Sequence, residues 1–535
     1  MEPTDLKFSV SFVWVLAFVL GLAGCSGGGS STVSCVPGFG DTVTVSGTIT
    51  FDRVPLNASG ALDFPATSIQ PARRITVEAV CGSVLSSTTT DDSGNYSLPV
   101  PVGTSGLLVR AKAQMLKTGI SAWDVKVVDE RQAVDLVFAL DSSLFDVTTS
   151  LTRNLHAPSG SDGTSYTSAR IAAPFAILDT VYKSMQLVMQ ASSNVVFPPL
   201  KIKWSTSSSD GSFYSNRTKT ITLLGSLPDT DEFDEHVVAH EWGHYFQDAF
   251  SRDDSIGGPH SGGDILDIRV AFSEGFGNAF SAMVLDDPLY RDSQGLDAGF
   301  RINVESNSCT NDGWYNECSV QSVLYDFYDI SNEGFDVFNL DFDEIHQVLV
   351  DDIPNTTAFT SLFSFINAFK ALPLIDDAAV DSLLAAQDIT QPIIDDFGTD
   401  ATAASGSNIQ LPPYLDGSNL STGIVACSTR VHGGYNGLGV SRYVRFTGPA
   451  TGRYTFQAVW QSGLNPSNPN MYLYHKGQLL SVAESRVSNA ENFDAFLLSG
   501  EEYILELREH SYNDPDLAPT APTATTEACF TVTRT

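Results

Sequence analysis

Basic residues are scarce in this chain. Lys and Arg together number 29 against 63 Asp and Glu in 535 residues, giving a formal net charge of −34 and a pI near 4.3. A surface so short of cations argues against a nucleic-acid partner, because such binding rests on neutralising phosphates with Lys and Arg. The same acidity keeps a salt-exposed secreted protein hydrated and favours cationic or calcium-bridged partners. Cysteine is sparse too: there are seven and no C-x-x-C pair, which excludes a cysteine zinc ribbon. The glycine-rich loop at 257–263 lacks the Lys-Ser/Thr of a phosphate-binding loop. One apolar run stands at residues 8–24 (FSVSFVWVLAFVLGLAG), too short and wrongly flanked for a stable membrane-spanning helix.

That run ends in Leu22-Ala23-Gly24-Cys25, followed by Ser26 and a GGGSS tether. The pattern resembles the bacterial lipobox. The resemblance implies cleavage before Cys25, a lipid on its sulfur, and anchorage in the cell envelope, with Ser26 pointing to the outer membrane. Six cysteines then remain. In an exported chain an even number suggests disulfides, and their positions favour one pair per domain: Cys35–Cys81, Cys309–Cys318 and Cys427–Cys529.

The most informative stretch is FDEHVVAHEWGHYFQDAF at 233–250. His240 and His244 stand four apart, so on a helix they share one face and can close on a single metal ion. Glu241, one step round, can act as general base toward a water held by that metal. This is the H-E-x-x-H arrangement of zinc sites. Val237, Val238, Tyr245, Phe246 and Ala249 supply the apolar stripe of such a helix, and Gly243 is tolerated in it. A third ligand is needed, with a fourth position left to water. Glu274 provides it, on a second run of helical spacing (Val270, Phe276, Phe280, Met283, Val284) whose Gly275 and Gly277 allow close approach to the first helix. Asn278, four residues on, is placed to hydrogen-bond a ligating histidine.

These residues resemble the gluzincin metallopeptidases of the thermolysin and fungalysin kind. The resemblance implies zinc held by His240, His244 and Glu274, with Glu241 as base. Asn278 stands where the family usually has Asp. The metzincin pattern is excluded, since Gln247 and Phe250 occupy its Gly and third His positions. His260, in the loop GGPHSGGD, is a competing ligand or a cleft residue; Asp248 and Asp264 read as surface or supporting groups. A donor for the reaction's oxyanion is also required. The family's histidine for that task is absent from the matching position; Tyr315 in GWYNECSVQ falls near it and carries a usable hydroxyl, and His346 is the alternative.

Around this segment the expected order is helix, strands, then the H-E-x-x-H helix. Residues 170–190 read as an amphipathic helix, and 199–206 and 218–225 as strands, the second being the candidate edge for pairing with an extended peptide. The acidic run Asp229, Asp231, Glu232, Asp234 and Glu235 either caps the following helix or holds calcium. At 535 residues, one core is not enough. The strand-rich segment near 41–140 carries TTTDDSGNYSLPVP and resembles the carboxypeptidase-regulatory, transthyretin-like β-sandwich. The C-terminal runs RYVRFTGPATGRYTFQAVW, MYLYHKGQLLS and FDAFLLSGEEYILELRE resemble the pre-peptidase C-terminal β-sandwich.

The expected architecture is therefore multidomain: a signal peptide at 1–24, a tether at 25–40, a β-sandwich at 41–142, an α+β zincin-like domain at 143–405, a linker at 406–425 and a β-sandwich at 426–535. The function expected is zinc-dependent hydrolysis of peptide bonds in a protein substrate, without nucleic acid. The alternative is a non-catalytic surface-binding or adhesion protein on a zincin scaffold.

Overall fold

Period-two alternation builds the first part of the chain. In the computed structural model, which describes residues 35–132, 134–330, 336–399, 401, 411–485, 487–513 and 527–535, strand β1 (Thr42–Arg53) buries Val45, Ile49 and Phe51. The signal run, Cys25 and part of the tether and of the 406–425 linker lie outside the described residues. Strand β1 pairs antiparallel with Ser68–Pro71 and Asn95–Pro101, and parallel with the later segments Leu151–Thr152 and Leu155–Ala157.

A second, nine-stranded sheet holds β2 (Ile75–Cys81), β3 (Thr104–Lys117), β4 (Trp123–Asp129), β5 (Leu200–Trp204), β6 (Phe213–Ser215) and β7 (Thr220–Thr222). Its spatial order runs β6-β7-β5-β4-β3-β2 and ends on Ser83–Thr89. The β4–β5 and β5–β7 pairings are parallel and the edge pair β6–β7 is antiparallel.

The boundary expected at 142/143 does not separate two packing units. Strand β5 completes the open edge of β4, satisfying backbone groups that would otherwise stay unpaired. Helix α1 (Ala173–Ala191) seals the same sheet with Ile177, Val181 and Met185, all fully buried. Arg53 of β1 reaches across to Asp179 of α1 at 3.1 Å and to Glu235 at 2.8 Å. One continuous apolar core joins these strands to the helices that follow.

Helix α2 (Glu235–Phe250) lies on helix α3 (Ile268–Leu285) through stacked rings: Trp242 on Phe280 at 5.5 Å, and Phe246 on Phe276 and Phe280 at 6.3 and 6.0 Å. The hairpin strand β8 (Leu289–Gln294) and helix α4 (Glu317–Asp326) complete this region. No helix among the described residues is long and apolar enough to cross a membrane.

The C-terminal segment is a β-sandwich with a five-stranded and a four-stranded sheet. Its own core is built from Val444, Phe446, Phe456, Leu473, Leu505 and Phe530. Three disulfides join Cys35–Cys81, Cys309–Cys318 and Cys427–Cys529, the pairing expected from their positions.

Candidate metal centre

Helical spacing does the first part of the assembly. On α2, His240 and His244 project from consecutive turns with their Nε2 atoms 3.0 Å apart. From α3, Glu274 Oε2 stands 3.3 Å from His240 Nε2 and 3.4 Å from His244 Nε2. Ligand atoms on a tetrahedral zinc ion with bonds of about 2.0–2.1 Å stand about 3.3 Å from one another, so this donor set has the spacing and the N, N, O chemistry that such an ion requires. His240 and Glu274 are buried, each 7% exposed, and the His244 side chain is 12% exposed.

Each imidazole is oriented by its other nitrogen. His240 Nδ1 donates to Asn278 Oδ1 at 2.9 Å, which leaves the Nε2 lone pair available to a metal ion. His244 Nδ1 meets Ser273 Oγ at 3.2 Å, and that hydroxyl donates onward to Gln247 Oε1 at 3.2 Å. Asn278 was anticipated from its place one turn beyond Glu274. Ser273 and Gln247 were not, although Gln247 lies three residues after His244 on the same helix face.

Close packing under the histidines comes from one glycine. A Cβ on Gly277 would stand 2.8 Å from the His240 ring, so only a hydrogen there lets the imidazole lie against α3. Gly275, expected to serve the same contact, faces α4 instead: a Cβ there would meet Val320 at 2.6 Å.

Electrostatics follow from enclosing these charges together. Burial opposes ionisation of Glu274, but the surrounding His244, His240 and His260 hold its carboxyl well below the usual range. Burial raises Glu241, and neighbouring His240 and His244 partly offset this. The backbone of Tyr214, in edge strand β6, adds a small opposing effect on the Glu241 carboxyl. A cleft of about 310 Å³ opens between β6 and the centre, lined by Phe213, Tyr214, His244, Asp253, Ser273 and Glu274.

Residues 189–353 match the family described as Mycolysin C-terminal domain. The match spans less than half of the chain and takes in α2, α3, β8 and α4, hence every residue of the centre. No curated protein matches the chain. Among solved structures, similarity is found to the pre-peptidase C-terminal domain of a collagenase from Bacillus anthracis, at 10% identity over 23% of this chain and 92% of that one, TM-score 0.16. A second is PliG, a periplasmic lysozyme inhibitor from Aeromonas hydrophila, at 14% identity over 21% and 84%, TM-score 0.13. Both likenesses are too slight to bear an argument.

The remaining candidates separate clearly within the matched region. Tyr315 is not presented to the cleft. Its hydroxyl donates to the Asp312 carbonyl at 3.0 Å and its ring packs edge-on to Trp314 in the core, because an aromatic-rich loop buries its rings first. His346 packs against Phe246 and Phe342. Asp248 binds Tyr214 Oη at 2.6 Å and Lys219 at 2.5 Å, tying α2 to the β6–β7 hairpin, and Asp264 closes a turn on the Ser261 N–H.

His260 does reach the centre. Its Nε2 lies 3.2 Å from Glu274 Oε2 and its Nδ1 lies 2.6 Å from Glu317 Oε2 at the start of α4. Against the cost of burial, the two carboxylates lift its pKa to about 11. Glu317 was not singled out from the sequence; its only signal is a carboxylate in the first turn of a helix. The edge of the sheet also differs from expectation. Residues 218–225 hold β7, an interior strand, and the open edge beside the cleft is β6.

Proposed function

We propose that this chain is a zinc-dependent peptidase of gluzincin type, with a zincin-like fold around α2 and α3. The observation that carries the reading is the triangle of His240 Nε2, His244 Nε2 and Glu274 Oε2, with sides of 3.0, 3.3 and 3.4 Å, beside Glu241 and an open cleft. His240, His244 and Glu274 would hold the ion, which when bound supplies positive charge to polarise a carbonyl and acidify water. Glu241 takes the proton from the attacking water and returns it to the leaving amine, a role suited to a carboxyl whose burial raises its affinity for protons. Edge strand β6 offers backbone groups to an extended peptide laid along the cleft. His260, held by Glu317, supplies the N–H donor for the developing oxyanion in place of Tyr315. The match to Mycolysin C-terminal domain over the same residues supports a peptidase setting.

We further propose that the mature chain is anchored in the envelope by lipid on Cys25, on the strength of Leu22-Ala23-Gly24-Cys25. Cys25→Ser should then shift the protein from the membrane fraction to the soluble one.

The test of the activity is metal content alongside hydrolysis of a mixed peptide library. Wild type should carry one equivalent of zinc and cut peptides. His240→Ala and Glu274→Ala should lose both zinc and cleavage. Glu241→Gln should keep its zinc while cleavage falls by about 10³-fold or more, as expected for loss of the general base and its positioning of water. A folded wild type without zinc, or an active Glu241→Gln, would overturn the proposal; the first result would favour the binding scaffold.

A further inference from the structure

A second group of acidic side chains lies at the entrance to α2, away from the zinc ligands. Asp229, Asp231 and Asp292 each place a carboxylate oxygen within 4.8 Å of the others. Asp229 and Asp231 come from the loop before α2, and Asp292 from β8. Asp234, at the N-terminal boundary of α2, is a fourth member: it is fully buried and its carboxylate contacts Asp292.

Acidic residues gather without ligands in many proteins, so the cluster alone decides nothing. Two further observations do. The first is a set of buried oxygens with no N–H or O–H donor, whose near partners are other carboxylates. In Asp234, Oδ2 accepts the Ser293 N–H at 2.5 Å while Oδ1 has no hydrogen-bond partner, although the residue is 0% exposed. Asp231, 2% exposed, repeats the pattern, with Oδ2 accepting from Ser212 and Oδ1 unpartnered. Oδ1 of Asp229, Oδ1 of Asp292 and the hydroxyl of the fully buried Thr230 are also unpartnered. One oxygen of each buried carboxylate is thus fixed by the protein and the other is left facing its neighbours. Buried polar groups normally find partners, and each such orphan costs about 1–3 kcal/mol.

The second observation is charge. Among the described residues no salt bridge involves Asp229, Asp231, Asp234 or Asp292. The nearby cations are engaged elsewhere: Arg170 with Glu232 at 2.6 Å and Arg291 with Asp287 at 2.6 Å. Buried carboxylates of one sign stay ionised only when paired or coordinated, and otherwise take up protons. Without a cation, burial and mutual repulsion push Asp231 and Asp234 well above the usual carboxylate range and Asp292 up to about 6.

We propose that Asp229, Asp231, Asp234 and Asp292 form a calcium-binding site that clamps the entrance of α2 to β8. The donors are all oxygen, with no His or Cys among them, which selects a hard cation over zinc. Several carboxylates from an irregular loop suit the larger, geometrically tolerant calcium ion better than magnesium, which retains most of its water. The clamp bears on the neighbouring centre through covalent continuity. Asp234 leads directly into the helix of His240 and Glu241, and β8 carries Tyr290, whose ring centroid is 6.2 Å from that of His240. Its existence does not depend on whether the zinc site is catalytic.

The test is calorimetric titration of calcium chloride into the intact chain stripped of metal with EDTA, with magnesium chloride in parallel. Wild type should take up one equivalent of calcium and bind magnesium more weakly. Asp231→Asn and Asp292→Asn should bind calcium at least about tenfold more weakly, and Glu274→Gln should bind it as wild type does. Melting temperature gives a second reading that does not depend on binding heats. Saturating calcium should raise that of wild type by about 5 °C and leave Asp292→Asn unchanged. Metal-free Asp292→Asn should melt above metal-free wild type, because a repelling charge is gone. No calcium uptake by wild type, or uptake unaltered in both Asn variants, overturns the site. Magnesium bound as tightly as calcium overturns the choice of ion. If these residues serve only to cap α2, Asp→Asn variants will melt lower and calcium will change nothing, which also overturns the proposal.

Discussion

Gly277 sets how closely the ring of His240 can lie against α3. Any side chain there must displace the imidazole, since even a Cβ would sit 2.8 Å away. Gly277→Ala is therefore expected to lower zinc affinity by about 10- to 100-fold, the range seen when groups that orient ligands are disturbed. Zinc titration against a competing chelator measures this, and unchanged affinity would show that the helix shifts to absorb the methyl. Asn278→Ala should cost a similar factor by releasing His240 Nδ1, whereas Asn278→Asp, which still accepts that proton, should retain the metal. These positions were legible because helical periodicity alone aligns Glu274 and Asn278, and His240 with His244. Side-chain direction in loops has no such rule. Tyr315 reads as a usable hydroxyl in a list of residues, yet its ring is one of the largest wholly buried groups in the molecule. His260 and Glu317 are 57 residues apart, and only tertiary packing brings them together.

At the scale of elements, the loop carrying His260 is held from α4. Asn316 caps α4 through the Cys318 and Ser319 N–H groups and donates to the Gly262 and Asp264 carbonyls. The Cys309–Cys318 bridge packs on Gly262, where a Cβ would meet both sulfurs at 2.9 Å. The disulfide thus bears on the loop that carries His260. Cys309→Ser/Cys318→Ser should leave the zinc content intact and lower peptide turnover by about 10- to 100-fold, the scale of a misplaced catalytic group. Equal turnover with and without the bridge would remove His260 from the chemistry. The helices and disulfide pairs were readable because their signals are local or few in number. The sheet order was not, since β6 turns back antiparallel outside β7 and so takes the edge from the strand with the stronger apolar pattern. The same limit hid the junction at 142/143. Alternation marks β4 and β5 as strands, but nothing in either records that strands separated by 70 residues, from the end of β4 at Asp129 to the start of β5 at Leu200, are neighbours in one sheet.

Across the whole molecule, the C-terminal sandwich is fastened to helix α3 by a buried ionic knot. Arg269, at the start of α3 and 2% exposed, pairs with Asp267 at 3.0 Å and with Glu506 of the sandwich at 3.3 Å. Phe359 and Tyr443 flank its guanidinium at 4.8 and 5.0 Å. Burial opposes ionisation of Glu506, yet Arg269 and Arg508 hold its pKa down to about 2 from an ordinary 4.5. A carboxylate depressed on folding stabilises the protein above its unfolded pKa and loses that contribution as pH falls toward the folded value. Docking of the sandwich should accordingly weaken between about pH 4.5 and pH 2. Glu506→Gln would leave Arg269 partly uncompensated in a dry site, at a cost of about 3 kcal/mol. Its expected signature is a lower melting temperature at pH 7 together with a flatter stability profile from pH 4.5 downward. Because Arg269 begins the helix that ends its second turn at Glu274, that loosening should also reduce zinc retention at pH 7. A Glu506→Gln protein that melts early but keeps its zinc as tightly as wild type would mean that the sandwich stabilises the chain without bracing the centre.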